Sequence, residues 1–113
     1  MWQWPIRRPK SKYRNQPCCV DGIRFMSKKE GARYGQLKLM LAAGTITNLR
    51  MQAPYRIDIN GQHICTYKAD FVYRMSAADL TDVVEDCKGM RTREYVLKKK
   101  LMAAVHGINI LES

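Results

Sequence analysis

Long apolar runs are missing from this sequence. The longest candidate, Leu39 to Ala43, falls far short of the roughly 20 residues that a membrane-crossing helix needs, so no such span is expected. Acidic residues are scarce, with 10 Asp and Glu against 20 Lys and Arg. Only His63 and His106 represent histidine, and neither their mutual spacing nor their distance from the acids has the form of a zinc site. The cysteines Cys18, Cys19, Cys65 and Cys87 lack the C-x-x-C pairing of a zinc ribbon, and the neighbours Cys18 and Cys19 fit poorly around one tetrahedral ion. Reduced thiols are the simplest reading. The opening Met1 to Pro5 has neither the apolar segment nor the small-residue cleavage site of a secretory signal, which predicts a cytoplasmic protein that is not exported. There is no internal repeat and no heptad seam.

What is present is positive charge. A formal net charge of +10 on 113 residues creates a field that attracts polyanions before any specific contact forms, and nucleic acid is the default partner. The competing readings are a solubilising surface and attraction to anionic lipid. A chain of this length fills one compact domain with a modest core. Residues 1–17 form a basic, proline-punctuated arm with no helical or alternating period, and residues 18–113 form the folded unit. Arg7, Arg8, Lys10 and Lys12 of the arm could grip phosphates; a plain tail and a partner contact are the alternatives. Trp2 and Trp4 could stack on bases or bury against a second subunit.

The local signals predict an order of helix, three strands, helix and strand. Asp21-Gly22 marks a turn between two short strands. Ser27-Lys28-Lys29-Glu30 has the form of a capping box, so a helix is expected from Lys28 to Ala43 with Tyr34, Leu37 and Leu41 on its buried stripe and Gly44 as its stop. Gly31 and Gly35 in that helix suggest that the sheet or a ligand approaches it closely. After a connector holding Gln52 and Pro54, Tyr55 to Ile59 and Gln62 to Tyr73 read as a hairpin about Asn60-Gly61. A looser turn at Ser76 to Asp79 leads into a Val-rich strand, Leu80 to Lys88. Thr92 caps a second helix reaching Val105, with Leu97, Leu101, Ala104 and Val105 expected inward. Ile108 to Leu111 is a last short strand.

Two carboxylates stand out inside strands. Alternation places Asp70 with Lys68 and Val72, opposite Tyr67, Ala69, Phe71 and Tyr73. In the following strand Asp86 shares a face with Lys88, while Glu85 and Cys87 take the other. A hairpin folded symmetrically about the Ser76 to Asp79 turn brings Asp70 level with Asp86. Facing carboxylates repel unless a proton or cation lies between them, and oxygen ligands beside a polyanion suit Mg²⁺. The Cys87 backbone carbonyl could supply another oxygen, and Lys88 could position a water or stabilise charge developing on phosphate. Glu30, one turn before Tyr34 on the apolar face of the first helix, could complete the shell directly or through water. Its alternative role is purely that of a helix cap.

Ala69-Asp70 followed by Asp86-Cys87-Lys88, with Glu30 on the preceding helix, resembles the elements of the PD-(D/E)XK nuclease superfamily, and the element order matches its core. The wider run from Lys12-Tyr13-Arg14 through Asp21-Gly22-Ile23 to Thr92-Arg93-Glu94-Tyr95 resembles small phage-encoded endonucleases of the Holliday-junction-resolvase-like type. The resemblance implies an α/β, restriction-endonuclease-like fold with a mixed sheet flanked by helices. It also implies Mg²⁺-dependent cleavage of DNA (Mn²⁺ as substitute), branched substrates and a homodimer. Two positions depart from the pattern: Ala69 stands where proline is usual, and Asp86 where many relatives carry Glu, which leaves adjacent Glu85 as a competing ligand. DNA contacts are expected from Arg91, Arg93, Lys98, Lys99, Lys28, Lys29 and the arm, with Gln52 a weaker candidate. A DNA-binding or accessory module with a decayed site is the rival from another class, and an exonuclease is the rival within the same class.

Overall fold

The computed structural model describes residues 17–75, 81–87 and 91–113. Arg7, Arg8, Lys10, Lys12, the Ser76 to Asp79 turn and Lys88 lie outside the described residues. The chain opens with a hairpin, β1 (Cys18–Val20) and β2 (Ile23–Phe25), followed by α1 (Lys28–Ala42). Then come β3 (Thr47–Ile59), β4 (Gln62–Arg74), β5 (Val83–Asp86), α2 (Arg93–His106) and β6 (Leu111–Glu112). The last four strands form one sheet in the order β3-β4-β5-β6, antiparallel except for the parallel β5–β6 pair. The protein is thus an α/β fold with a mixed four-stranded sheet, a small separate hairpin and two helices.

The turn and cap signals act where the sequence places them. Asp21-Gly22 and Asn60-Gly61 both have left-handed backbones, with φ of 52° and 74° in the first and 52° and 80° in the second, the requirement of a type I′ hairpin. Ser27 Oγ accepts from the Glu30 amide at 3.1 Å, which satisfies an orphan donor at the head of α1. Thr92 does the same for Tyr95 at the head of α2. The close approach expected at the α1 glycines occurs at Gly31 alone, where a Cβ would run into Cys18 Sγ and touch Val20. The β1–β2 hairpin, not the four-stranded sheet, seats there, and Gly35 faces open space.

Two apolar clusters fill the space between sheet and helices. Tyr34 and Leu37 of α1 pack with Phe25, Ile46, Phe71 and Tyr73, whereas Tyr95 and Met102 of α2 pack with Ile57, Tyr67, Ala69, Val72, Val84 and Ile110. Since Val72 and Val84 go with α2 while Phe71, Tyr73 and Val83 go with α1, the helices cover opposite faces of the sheet.

Four expectations need correction. β3 begins at Thr47, so Gln52 and Pro54 lie inside a strand and not in a connector; Pro54 is tolerated because β3 is an edge strand. The alternation through β4 is not continuous. Tyr67 and Ala69 join Val72 on the α2 face, and Phe71 and Tyr73 turn to α1, so the pleat inverts at Asp70. Its partner strand inverts at the same level, with Ala53 and Tyr55 toward α2 and Leu49 and Met51 toward α1. The pivot is Gln52, whose φ of 52° breaks the extended run in mid-strand. The inner stripe of α2 is also not the expected one. Leu101 packs inward as expected and Tyr95 and Met102 are buried, whereas Leu97 is 58 % exposed and Ala104 and Val105 also face outward, because the inward stripe passes through Lys99. The last strand sits later than Ile108 to Leu111, and its Glu112 receives Arg91, Tyr95 and Lys99.

Candidate functional site

Asp70 and Asp86 meet across β4 and β5. The paired residues Phe71–Glu85, Val72–Val84 and Tyr73–Val83 carry the same register onward to Asp70 and Asp86. The Asp86 carboxyl lies close enough to Asp70 to act on it electrostatically, and the Cys87 amide donates to Asp70 Oδ2 at 3.0 Å. Burial and the neighbouring Asp86 carboxyl push Asp70 up to about 8 against the opposing pull of the Cys87 amide, and Glu30 adds to the rise. Asp86 is 1 % exposed, and its Oδ2 accepts from the Tyr67 hydroxyl at 2.5 Å. Burial and the bond to Asp86 in turn push the Tyr67 hydroxyl upward.

Glu30 joins the pair through Gln52. The Gln52 carboxamide donates to Glu30 Oε1 at 3.2 Å and reaches Asp70 Oδ1 at 3.5 Å, the outer limit of a hydrogen bond. Gln52 arrives there because Met51 pairs with Phe71 and Ala53 with Ala69, which sets Gln52 opposite Asp70. The first turn of α1, the middle of the β3–β4 hairpin and the end of β5 thus converge, and among the described residues they bring together three carboxyls, the Gln52 carboxamide and the Tyr67 hydroxyl.

Glu85 is excluded from this cluster. Facing α1, it takes a bidentate contact from Arg33, Nε to Oε2 at 2.6 Å and Nη2 to Oε1 at 2.9 Å, and a bond from the Tyr73 hydroxyl at 2.7 Å. Burial pushes Glu85 up, but the bonds from Arg33 and Tyr73 outweigh it and leave its carboxyl below the ordinary value. Strand alternation therefore resolves which acid can meet Asp70: it is Asp86. Among the described residues no three His, Cys, Asp or Glu side chains form a ready metal cage. The donor set nevertheless suits Mg²⁺, which is held by one or two carboxylates with water and phosphate completing its shell.

The expected DNA contacts scatter. Lys28 and Lys29 are exposed at the head of α1. Arg93 lines an open groove of about 300 Å³ with Arg91, Thr92, Val96, Leu97 and Lys100. Arg91 and Lys99 both pair with Glu112, and Lys98 pairs with Glu94 at 3.0 Å. Burial pushes Glu112 up, yet the bonds from Lys99, Tyr95 and Arg91 outweigh it and hold its carboxyl down at about 2. Tyr95 is a packing residue, 6 % exposed, with its hydroxyl on Glu112.

The Arg33–Glu85 pair and the Glu112 hub were not foreseen. Their only sequence signals are that Arg33 lies one turn beyond Glu30 and that Glu85 alternates with Asp86; nothing local announces Glu112.

No curated protein matches this chain, and no solved structure does either. Over residues 10–109 it matches the family described as protein of unknown function (DUF1064), and the chain belongs to that family.

Proposed function

We propose that this protein is a divalent-metal-dependent DNA endonuclease whose acidic site is Asp70, Asp86 and Glu30 with Lys88. The observation that carries the reading is the Asp70–Asp86 pair, two carboxyls pressed together on adjacent strands inside a chain of net charge +10. Two carboxylates this close repel each other, and a divalent cation bound between them relieves that repulsion. The order of α1, three antiparallel strands, α2 and a strand parallel to β5 supports a restriction-endonuclease-like core.

In this reading Asp70 and Asp86 hold Mg²⁺ (or Mn²⁺), the Cys87 carbonyl lies at the same strand end, and Glu30 reaches the shell directly or through water. The ion, when bound, supplies charge neutralisation for the scissile phosphate and acidifies water. Tyr67 orients Asp86 by its hydroxyl, and the Cys87 amide orients Asp70. Lys88, next in chain to Cys87, positions the attacking water or stabilises charge on the phosphate. Arg91, Arg93, Lys28 and Lys29 contact the DNA backbone, branched DNA is the preferred substrate, and two copies act as a homodimer.

The test is cleavage of labelled four-way-junction, flap, linear-duplex and single-stranded DNA with Mg²⁺ or with EDTA, comparing wild type with Asp86→Ala. Metal-dependent cutting that the variant loses is the expected result, and the order of substrates names the class. One observation favours a second reading. The acids already have partners within the protein, Asp86 the Tyr67 hydroxyl, Asp70 the Cys87 amide and Glu30 the Gln52 carboxamide, as in a DNA-binding module with a structural acid network. Tight, salt-sensitive binding without cutting in Mg²⁺ or Mn²⁺ would establish that alternative.

A further inference from the structure

A non-glycine residue with left-handed backbone is expected at a turn or bulge and in a short polar type, and three of the four positive-φ residues obey: Asp21 and Asn60 in hairpin turns, and Asn48 at the register shift between Thr47 and Arg50. Gln52 does not fit. It sits in mid-strand, in a side-chain type with no special tolerance for φ of 52°, and the ladder on both sides of it keeps one register, Met51 with Phe71 and Ala53 with Ala69. No change of strand pairing requires the break. Its visible consequences are that the pleat of β3 inverts and that the Gln52 side chain crosses Asp70 to bond Glu30 on α1. A regular extended residue would continue the alternation of its neighbours and would not reverse the faces of Met51 and Ala53. Strain that persists because the surroundings hold it tends to mark a functional position.

We infer that Gln52 is a positioning residue of the acidic site, its strained backbone being retained because it carries the carboxamide that ties Glu30 of α1 to Asp70 of β4. The role rests on the metal-site reading above. The carboxamide is suited to it in charge: a neutral donor can bridge two carboxylates where a lysine would neutralise the charge meant for a cation and a glutamate would repel both. With Nε2 on the acids, Oε1 of the same group remains an acceptor for water or for a hydroxyl of substrate.

Gln52→Gly separates this from a structural role, because it relieves the left-handed strain while deleting the arm. The expected variant melts no lower than wild type, by about 3 °C higher, yet loses at least tenfold in cleavage and shows a smaller Mg²⁺-induced rise in Tm at pH 8. Gln52→Asn, comfortable at positive φ but one methylene short of Glu30, behaves in the same way. Gln52→Glu melts lower in EDTA at pH 8 and recovers with Mg²⁺. A Gln52→Gly protein that responds to Mg²⁺ and cuts as wild type does, or that is plainly less stable, overturns the inference. Side-chain amide NMR of the metal-free protein tests the tie itself: the Gln52 carboxamide signals stand apart from those of solvated glutamines and collapse onto them in Glu30→Ala. Unperturbed signals in wild type overturn the inference too. If wild type ignores Mg²⁺ and cuts nothing while the Gln52 signals still collapse in Glu30→Ala, the metal reading falls and the tie between Gln52 and Glu30 stands.

Discussion

Asp70 shows how one residue links site and stability. With a folded value of about 8 against 3.8 in the unfolded chain, the folded state keeps its proton over a range where the unfolded state has lost it. The Asp70 contribution is therefore full below about pH 4 and drains away as pH rises toward 8. Asp70→Asn removes that loss. Thermal melts in EDTA should show the variant several degrees more stable than wild type at pH 8, with the gap closing by pH 5. On the proposed metal-site reading, Mg²⁺ should raise wild-type Tm at pH 8 and leave Asp70→Asn unmoved, since the cation would displace the proton that Asp70 holds. A variant no more stable than wild type at pH 8 would mean that the two carboxyls do not press on each other as the structure has them. Asp86 and Glu30 carry the same lesson for reading a sequence. The choice of Asp86 over Glu85 followed from alternation alone, whereas the capping position of Glu30 concealed a second use, its bond to Gln52, that depends on a strand far along the chain.

At the level of elements, an ion pair adds to the apolar packing that holds α1 on the sheet. Glu85 has no exposed side-chain surface and Arg33 supplies both of its charge-assisted bonds from α1, so the pair ties the helix to β5 beside the acids. Breaking one partner leaves an uncompensated buried charge, and Arg33→Ala should cost about 3 kcal/mol or more in urea unfolding. Glu85→Gln, which can keep the Tyr73 bond, should cost less. Gly31→Ala is predicted to be destabilising although alanine is the better helix former, because the added methyl displaces Cys18 and with it the β1–β2 hairpin. Gly35→Ala, with open space around it, should stabilise by about 0.5–1 kcal/mol. The helices, both glycine-bearing hairpin turns and the two caps were legible because their causes are local. The extent of β3 was not, since Gln52 and Pro54 interrupt its pattern and only its place at the sheet edge makes them tolerable.

For the whole molecule the dominant quantity is charge. At +10 the protein should bind DNA with an affinity that falls steeply with salt, the slope of log K against log[salt] giving about 0.9 per phosphate contacted. Pairing modifies which cations count. Arg91 and Lys99 are engaged by Glu112, while Arg93 and Lys100 line the groove at the head of α2. Arg93→Gln should therefore reduce the salt slope by about 1, and Lys99→Gln should change it less while lowering Tm. Equal effects of the two on the slope would show that the Glu112 hub opens when DNA binds.

By itself the sequence determined the element order, the turns and caps, the basic character, and the pair of acids that alternation and hairpin symmetry bring level. These are consequences of short-range chemistry: side-chain period, capping oxygens, and the positive φ that Asp-Gly and Asn-Gly accept. Tertiary structure alone decided that the pleat inverts at Gln52 and Asp70, that Glu85 belongs to Arg33, that Leu97 faces outward, and that Glu112 collects three donors from α2 and its approach. Each of those depends on which surfaces meet after the sheet twists and the helices dock, and a residue's partners across such contacts leave no mark on its neighbours in the chain.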